Sequence, residues 1–228
     1  VNFLLSSFTE KSFKVLILPS SLTFLSTSAS SKIIPASSKT FSSIELESKF
    51  ASMYRAITAR ANYLSQDRSD IKFAVKELSR HMAKPRIRDW RKLIRLGKYI
   101  IGRERFVVNY DWQEETGTLC VWTDTHFAGC RETRKSTSGG VMINGNHVIK
   151  GWSATQKIIA TSSGEAEYYG LVRGSSEAMG TRSLLDDMGI TKRVRLFEDS
   201  SAAKGVAERS GLGKIRHLEV HQLWVQEK

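Results

Sequence analysis

Two short apolar runs in this chain each end on an acid, and a long helical pattern lies between them. The first is GTLCVWTD, residues 117–124, closing on Asp124. The second is RVRLFED, residues 193–199, closing on Asp199. Both have the length and the β-branched and aromatic content of strands. Between them, SGEAEYYGLVRGSSEAMGTRSLLDDMG reads as a long helix, opened by Ser162 or Ser163 and closed by Gly189. Ahead of that helix, SGGVMINGNHVIKGW reads as a hairpin, with Asn144, Gly145 and Asn146 supplying residues that tolerate positive φ at the turn. This order makes residues 106–228 an α/β domain with a mixed sheet and flanking helices. FVVNY, residues 106–110, is expected as a further strand, and KIIATSS as a further extended piece. SSAAKGVAERSG is expected as a short helix, and KIRHLEVHQLWVQEK fits helix or strand equally. Three glycines inside the long helix each cost roughly 1 kcal/mol relative to alanine, which close packing or weak order would explain.

Residues 47–105 carry a different signal. Met53, Ile57, Ala61 and Leu64 recur at helical spacing, as do Ile71, Ala74, Val75, Leu78 and Met82, and then Trp90, Leu93, Ile94, Gly97 and Ile101. Ser69 or Asp70 is expected to cap the second helix and Pro85 to close it. The prediction is a small unit of three helices. It is strongly basic: between Arg55 and Arg105 stand 15 Lys/Arg against 5 Asp/Glu, most of the chain's net charge of +12. That excess suits a solvated face or contact with an anionic partner, most often nucleic acid.

Residues 1–46 are Ser-rich and aperiodic, and read as a poorly ordered leader or as sequence foreign to the rest. The leader has no arginine, which argues against a mitochondrial address. FKVLILP is too short to span a bilayer, and no run approaches the ~18 apolar residues of a membrane span, so no membrane partner is expected. The two cysteines, Cys120 and Cys130, form no zinc-binding pattern and suggest a reducing compartment.

Asp124 and Asp199 end strands, and Glu167 sits in the first turns of the long helix. If the two strands are neighbours and the helix packs beside them, the three acids meet. Such a set offers the oxygen ligands that hard divalent cations prefer. The competing reading is plain: acids are common at strand exits and in first helical turns.

VWTDTHFAG, RKSTSGGVMI, GWSATQKIIATSSGEAEYYGL, LFEDSSAAKGVA and KIRHLEVHQLWVQEK stand in the order and spacing of the ribonuclease H domain of Ty1/copia-type retrotransposon polyproteins, which this region resembles. YRAITARANYLSQDRSDIKFAVKELSRHMAKP and DWRKLIRLGKYIIG resemble the thumb and connection helices of the same family's reverse transcriptase. The resemblance covers roughly residues 47–228. It implies a ribonuclease H-like mixed sheet, Mg²⁺ or Mn²⁺ as cofactor, and cleavage of the RNA strand of an RNA/DNA hybrid. Asp124, Glu167 and Asp199 match the family's first three acidic positions. Glu167 is chosen over Glu165 because YYG follows it; Glu165 is then expected to face solvent or to support the site from outside. The family's fourth acid lies in a later segment, and this chain stops at Lys228 before it. Glu219 is expected to be structural. No Tyr-x-Asp-Asp motif is present, so polymerase activity is not expected, and Asp186 and Asp187 read as a solvated helix end.

Candidate nucleic-acid contacts are Thr125, Arg134, Ser136, Ser162 and Ser163. Arg134, Lys135, Ser136 and Thr137 suit phosphate contact or turn chemistry equally, and Ser162 and Ser163 suit helix caps first. Trp122 is expected in the core, with base stacking the second reading. His126, His147, His217 and His221 are expected to pack or hydrogen-bond rather than transfer protons. The expected partners are an RNA/DNA hybrid and the remainder of a reverse transcriptase, in the cytoplasm or nucleus. The alternatives are a nucleic-acid-binding remnant without catalysis, and an integrase-like nuclease, against which the SSGEAEYYG context speaks.

Overall fold

The computed structural model describes residues 43–211, 218 and 220–227. Most of the expected leader, together with His217 and Glu219, lies outside the described residues. The chain forms two compact units, one up to Val107 and one from Val108.

The first unit is built on α1 (Ser48–Leu64), a 3-10 turn (Ser69–Ile71), α2 (Lys72–Ser79) and α3 (Ile87–Gly102). The three apolar stripes meet: Tyr54, Ile57, Ala61, Ile71, Val75, Leu78, Trp90, Leu93 and Leu96 form one core. Tyr54, fully buried, donates its hydroxyl to the Leu78 carbonyl at 2.8 Å. Two expectations at the second helix differ. Neither Ser69 nor Asp70 caps it; Asp70 instead takes a bidentate pair from Arg68 (3.0 and 2.7 Å) and the Tyr99 hydroxyl (2.9 Å). Those bonds, Arg68 foremost, hold the Asp70 carboxyl below its usual range. The helix also stops at Ser79, well before Pro85, whose carbonyl accepts from Leu46 N–H.

The second unit is mixed α/β: β1 (Thr118–His126), β2 (Thr137–Asn144), β3 (His147–Thr155), α4 (Ser163–Asp187), β4 (Arg193–Phe197), α5 (Ser201–Ala207) and a final 3-10 segment (Val220–Glu227). The sheet order is β3-β2-β1-β4, antiparallel except for the parallel pair β1 and β4. Gly145 turns the β2–β3 hairpin at φ +60°, and Gly189 ends α4 at φ +78°, left-handed conformations that glycine adopts without a steric cost.

Alternation along β1 sends Leu119, Val121, Thr123 and Thr125 inward and leaves Trp122, Asp124 and His126 exposed. Leu119, Val121, Met142 and Ala178 form the core between sheet and helix, with Trp152, Val194 and Leu196 packed on it. A second cluster of Tyr168, Val172, Ala203, Val206 and Leu218 joins α4 to α5. Trp122 is thus not a core residue: it is 39% exposed, and its ring stacks on Phe197 with centroids 4.7 Å apart.

Neither FVVNY nor KIIATSS forms a strand. The first pairs with neither edge of the sheet, and its end is held by side chains. Tyr110 donates to the Val148 carbonyl, and nearby Gln113 bridges Asn144 O and Asn146 N–H across the hairpin turn. The ambiguous C-terminal stretch is a 3-10 segment over Val220–Glu227.

Candidate metal centre

The parallel register sets the level of the two strand-end acids. Trp122 pairs with Phe197 across β1 and β4, so Asp124 and Asp199 each stand two residues beyond the same rung. Neighbouring strands lie ~4.8 Å apart, which brings the two exits together.

Two glycines bring Glu167 to them. Gly170 and Gly174 follow Glu167 along one face of α4. A Cβ at Gly170 would stand 2.4 Å from Thr125 Oγ1, and one at Gly174 2.4 Å from Thr123 Cγ2. The helix therefore lies closer to β1 than any side chain at these positions allows. Close packing accounts for both residues; Gly180, with open space around it, is not explained this way.

Glu167, Glu198 and Asp199 offer carboxylate oxygens that all lie within 4.8 Å of one another. Asp124 stands outside that group, but its charge reaches Glu167. Burial first, then the charges of Glu198, Asp124 and Asp199, push the Glu167 carboxyl up to about 7. The Thr125 hydroxyl works against the rise, yet neither it nor Glu167 Oε2, both buried, makes a hydrogen bond of full geometry. Among the described residues no cation pairs with any of these four acids. Oxygen-only donors, concentrated negative charge and an unmet buried oxygen suit a hard divalent cation, which would remove the repulsion.

Glu198 has no counterpart in the expectations drawn from sequence. It is 5% exposed and accepts from Thr123 Oγ1 at 2.6 Å and, weakly, from Ser200 N–H at 3.4 Å. Burial and the adjacent Asp199 raise its carboxyl, against the pull of those two donors. Its inward direction follows from the alternation of β4, continued one residue past Phe197, and that alternation is the signal that would have found it.

Glu165 does not face solvent. It is 1% exposed and accepts from Thr161 N–H, Thr161 Oγ1 and the Tyr169 hydroxyl at 2.8, 2.7 and 2.9 Å. Ser162 in turn accepts from Glu165 N–H at 3.2 Å. Together these bonds fix the first turn of α4, which begins at Ser163, four residues before Glu167.

The remaining candidates separate by exposure. Ser162 and Ser163 are exposed, Ser162 as the cap of α4. Arg134 is exposed in the loop after β1, at φ +58°, its N–H bonded to Cys130 O at 2.7 Å. Ser136 is fully buried and accepts from Ala128 N–H at 3.0 Å, and Thr125 is 7% exposed against α4. Both hydroxyls are turned inward, which corrects their grouping with surface contacts. His126 is exposed beside Gly129. Both nitrogens of His147 are engaged, with Asp111 O and Gln113 Nε2. Asp186 and Asp187 are exposed at the end of α4, as expected. No helix among the described residues is long and apolar enough to cross a membrane.

Fold and centre together define a mixed α/β domain whose carboxylates gather where two parallel strands end. The chain is 34% identical over 137 residues to the retrovirus-related Pol polyproteins of transposons RE2 and RE1 from Arabidopsis thaliana, covering 60% of this chain and 9% of each relative. It is 26% identical over 162 residues to the Pol polyprotein of transposon TNT 1-94 from Nicotiana tabacum, covering 70% of this chain and 12% of the relative. No family model and no solved structure matches. Its relatives are thus retrovirus-related Pol polyproteins of copia-type transposons, and the chain spans about a tenth of their length.

Proposed function

We propose that the second unit is a ribonuclease H-like domain that hydrolyses the RNA strand of an RNA/DNA hybrid, with Asp124, Glu167 and Asp199 holding Mg²⁺ or Mn²⁺. The observation that supports this reading is the gathering of Glu167 and Asp199 oxygens within 4.8 Å of each other at the exit of β4, with Asp124 at the level exit of β1 and close enough for its charge to raise Glu167. A bound divalent cation supplies Lewis acidity toward a phosphodiester oxygen and an acidified water. The chain's own part is to bind and orient. Asp124 and Asp199 present oxygens from parallel strand exits. Glu167 presents one from a helix that two glycines hold against β1, and its carboxyl, raised to about 7, would give up its proton where it held a cation. Arg134, Ser162 and Ser163 are exposed and fit contact with the hybrid's backbone. Selectivity for a hybrid would come from duplex shape and the RNA 2′-hydroxyl.

The test is digestion of an end-labelled RNA/DNA hybrid with Mg²⁺ or Mn²⁺, with Asp124→Asn as control. Cleavage by the parent chain and its loss in the variant are expected; equal cleavage by both would overturn the reading. A second reading, hybrid binding without cleavage, is favoured by the basic helical unit, where Arg91, Lys92, Arg95 and Lys98 are exposed along α3. Salt-sensitive binding with no cleavage in the same experiment would select it.

A further inference from the structure

We infer that Glu198 is a fourth carboxylate of the cation centre, entering it from the buried side while Asp199 enters from the solvent side. The inference rests on the reading that a divalent cation binds here. It goes beyond the acids that the family pattern supplies, since Glu198 matches none of them.

Three observations carry it. First, the group of oxygens lying within 4.8 Å of one another contains Glu198 together with Glu167 and Asp199. Second, under-satisfied polar atoms adjoin this group: neither Glu167 Oε2 nor Oγ1 of Thr125, a residue 7% exposed that lies against Glu167, makes a hydrogen bond of full geometry. Third, Glu198 is buried beside like charges with one short hydrogen bond, from Thr123, and no cation paired with it among the described residues. A buried carboxylate in that position is costly unless something positive shares the space. A divalent cation satisfies all three at once.

Neighbouring residues reach one centre from opposite sides because β4 ends at Phe197. Strand alternation carries Glu198 inward toward Thr123 and turns Asp199 out. The Thr123 hydroxyl then fixes the Glu198 carboxylate, and the Thr123 methyl packs where a Gly174 side chain would stand. One threonine thereby holds the fourth acid and admits the helix that bears Glu167.

The experiment is Mn²⁺ titration of the whole chain followed by electron paramagnetic resonance, which needs no substrate. The variants are Glu198→Gln and Glu198→Asp, with Asp124→Asn for comparison. Glutamine keeps an acceptor for Thr123 and removes only the charge, so a purely structural Glu198 would leave Mn²⁺ binding unchanged. The expected result is a loss of affinity of at least about tenfold in Glu198→Gln, with partial recovery in Glu198→Asp. Parent-like Mn²⁺ binding by a folded Glu198→Gln overturns the inference and leaves the three-acid centre standing. Failure of the parent chain itself to bind Mn²⁺ at millimolar concentration removes the centre, and this inference with it. If Glu198→Gln does not fold, Thr123→Val takes its place. It frees the carboxylate of its donor while keeping a methyl against Gly174; weakened Mn²⁺ binding supports the inference and unchanged binding overturns it.

Discussion

The methyl group of Thr123 fills the space that a side chain at Gly174 would require, with only 2.4 Å between Thr123 Cγ2 and a Cβ placed there. Thr123 is itself buried and cannot withdraw into solvent. Gly174→Ala should therefore destabilise the domain by about 1–3 kcal/mol through overpacking. Gly180→Ala, on the same helix with nothing within 4 Å, should stabilise it by about 0.5–1 kcal/mol. Urea denaturation of the two variants checks the contrast, and equal effects would rule out close packing as the reason for Gly174.

The raised Glu167 carboxyl makes a prediction about pH without cation. Its folded value of about 7 lies above the ordinary 4.5, so the fold favours the protonated form. The associated stability is fully present below about pH 4.5 and drains away as pH rises through about 7. In EDTA, the melting temperature of the parent chain should fall relative to Glu167→Gln across that window. Millimolar Mg²⁺ should restore much of the difference. Parallel curves for the two proteins would show that residue 167 does not carry the strain.

Asp199→Asn should lower hybrid cleavage by at least about a hundredfold, at the level expected for groups that hold a catalytic cation. Asp186→Asn removes a charge from the far end of α4 and should leave cleavage within about twofold, since surface changes away from such sites are close to neutral. Single-turnover cleavage of a labelled hybrid measures both.

Glu165→Ala should cost about 1–3 kcal/mol, because it strips the acceptor shared by Thr161 and the Tyr169 hydroxyl inside the protein. Hydrogen exchange should quicken in the first turn of α4 before it does elsewhere in the helix. Uniform exchange along α4 would argue that the cap is not what secures this end.

Gly145→Ala should destabilise the β2–β3 hairpin by roughly 1–2 kcal/mol, the cost of a left-handed backbone for an L-residue. Its new methyl would also meet Gln113 Oε1 at 2.2 Å. Gly145→Asn, which tolerates positive φ better, should fall between parent and alanine, and thermal melts rank the three.

Much of the secondary structure was legible because it follows from spacing. The stripes through Ile57, Val75 and Leu93 had to face a common core, and the turn chemistry around Gly145 had to close a hairpin. Glu167 could be separated from Glu165 only through the resemblance to a family; the pattern Glu-Ala-Glu alone says nothing about which acid faces the sheet. What stayed hidden depends on contacts between distant residues. Trp122 alternates correctly with Val121 and Thr123, but periodicity does not reveal which face of a sheet is covered. FVVNY has strand composition, yet composition does not decide pairing: it joins neither edge of the sheet, β3 or β4, and Tyr110 is held through its hydroxyl instead. Glu198 reads as part of a strand exit until Thr123, 75 residues earlier, is known to donate to it.

That separation has an entropic side. The parallel pairing of β1 with β4 spans the hairpin and the whole of α4, so it carries the largest loop-closure cost of any pairing in the sheet. The acids are neighbours only where that pairing exists, so a cation bound between them would brace a finished domain rather than seed one.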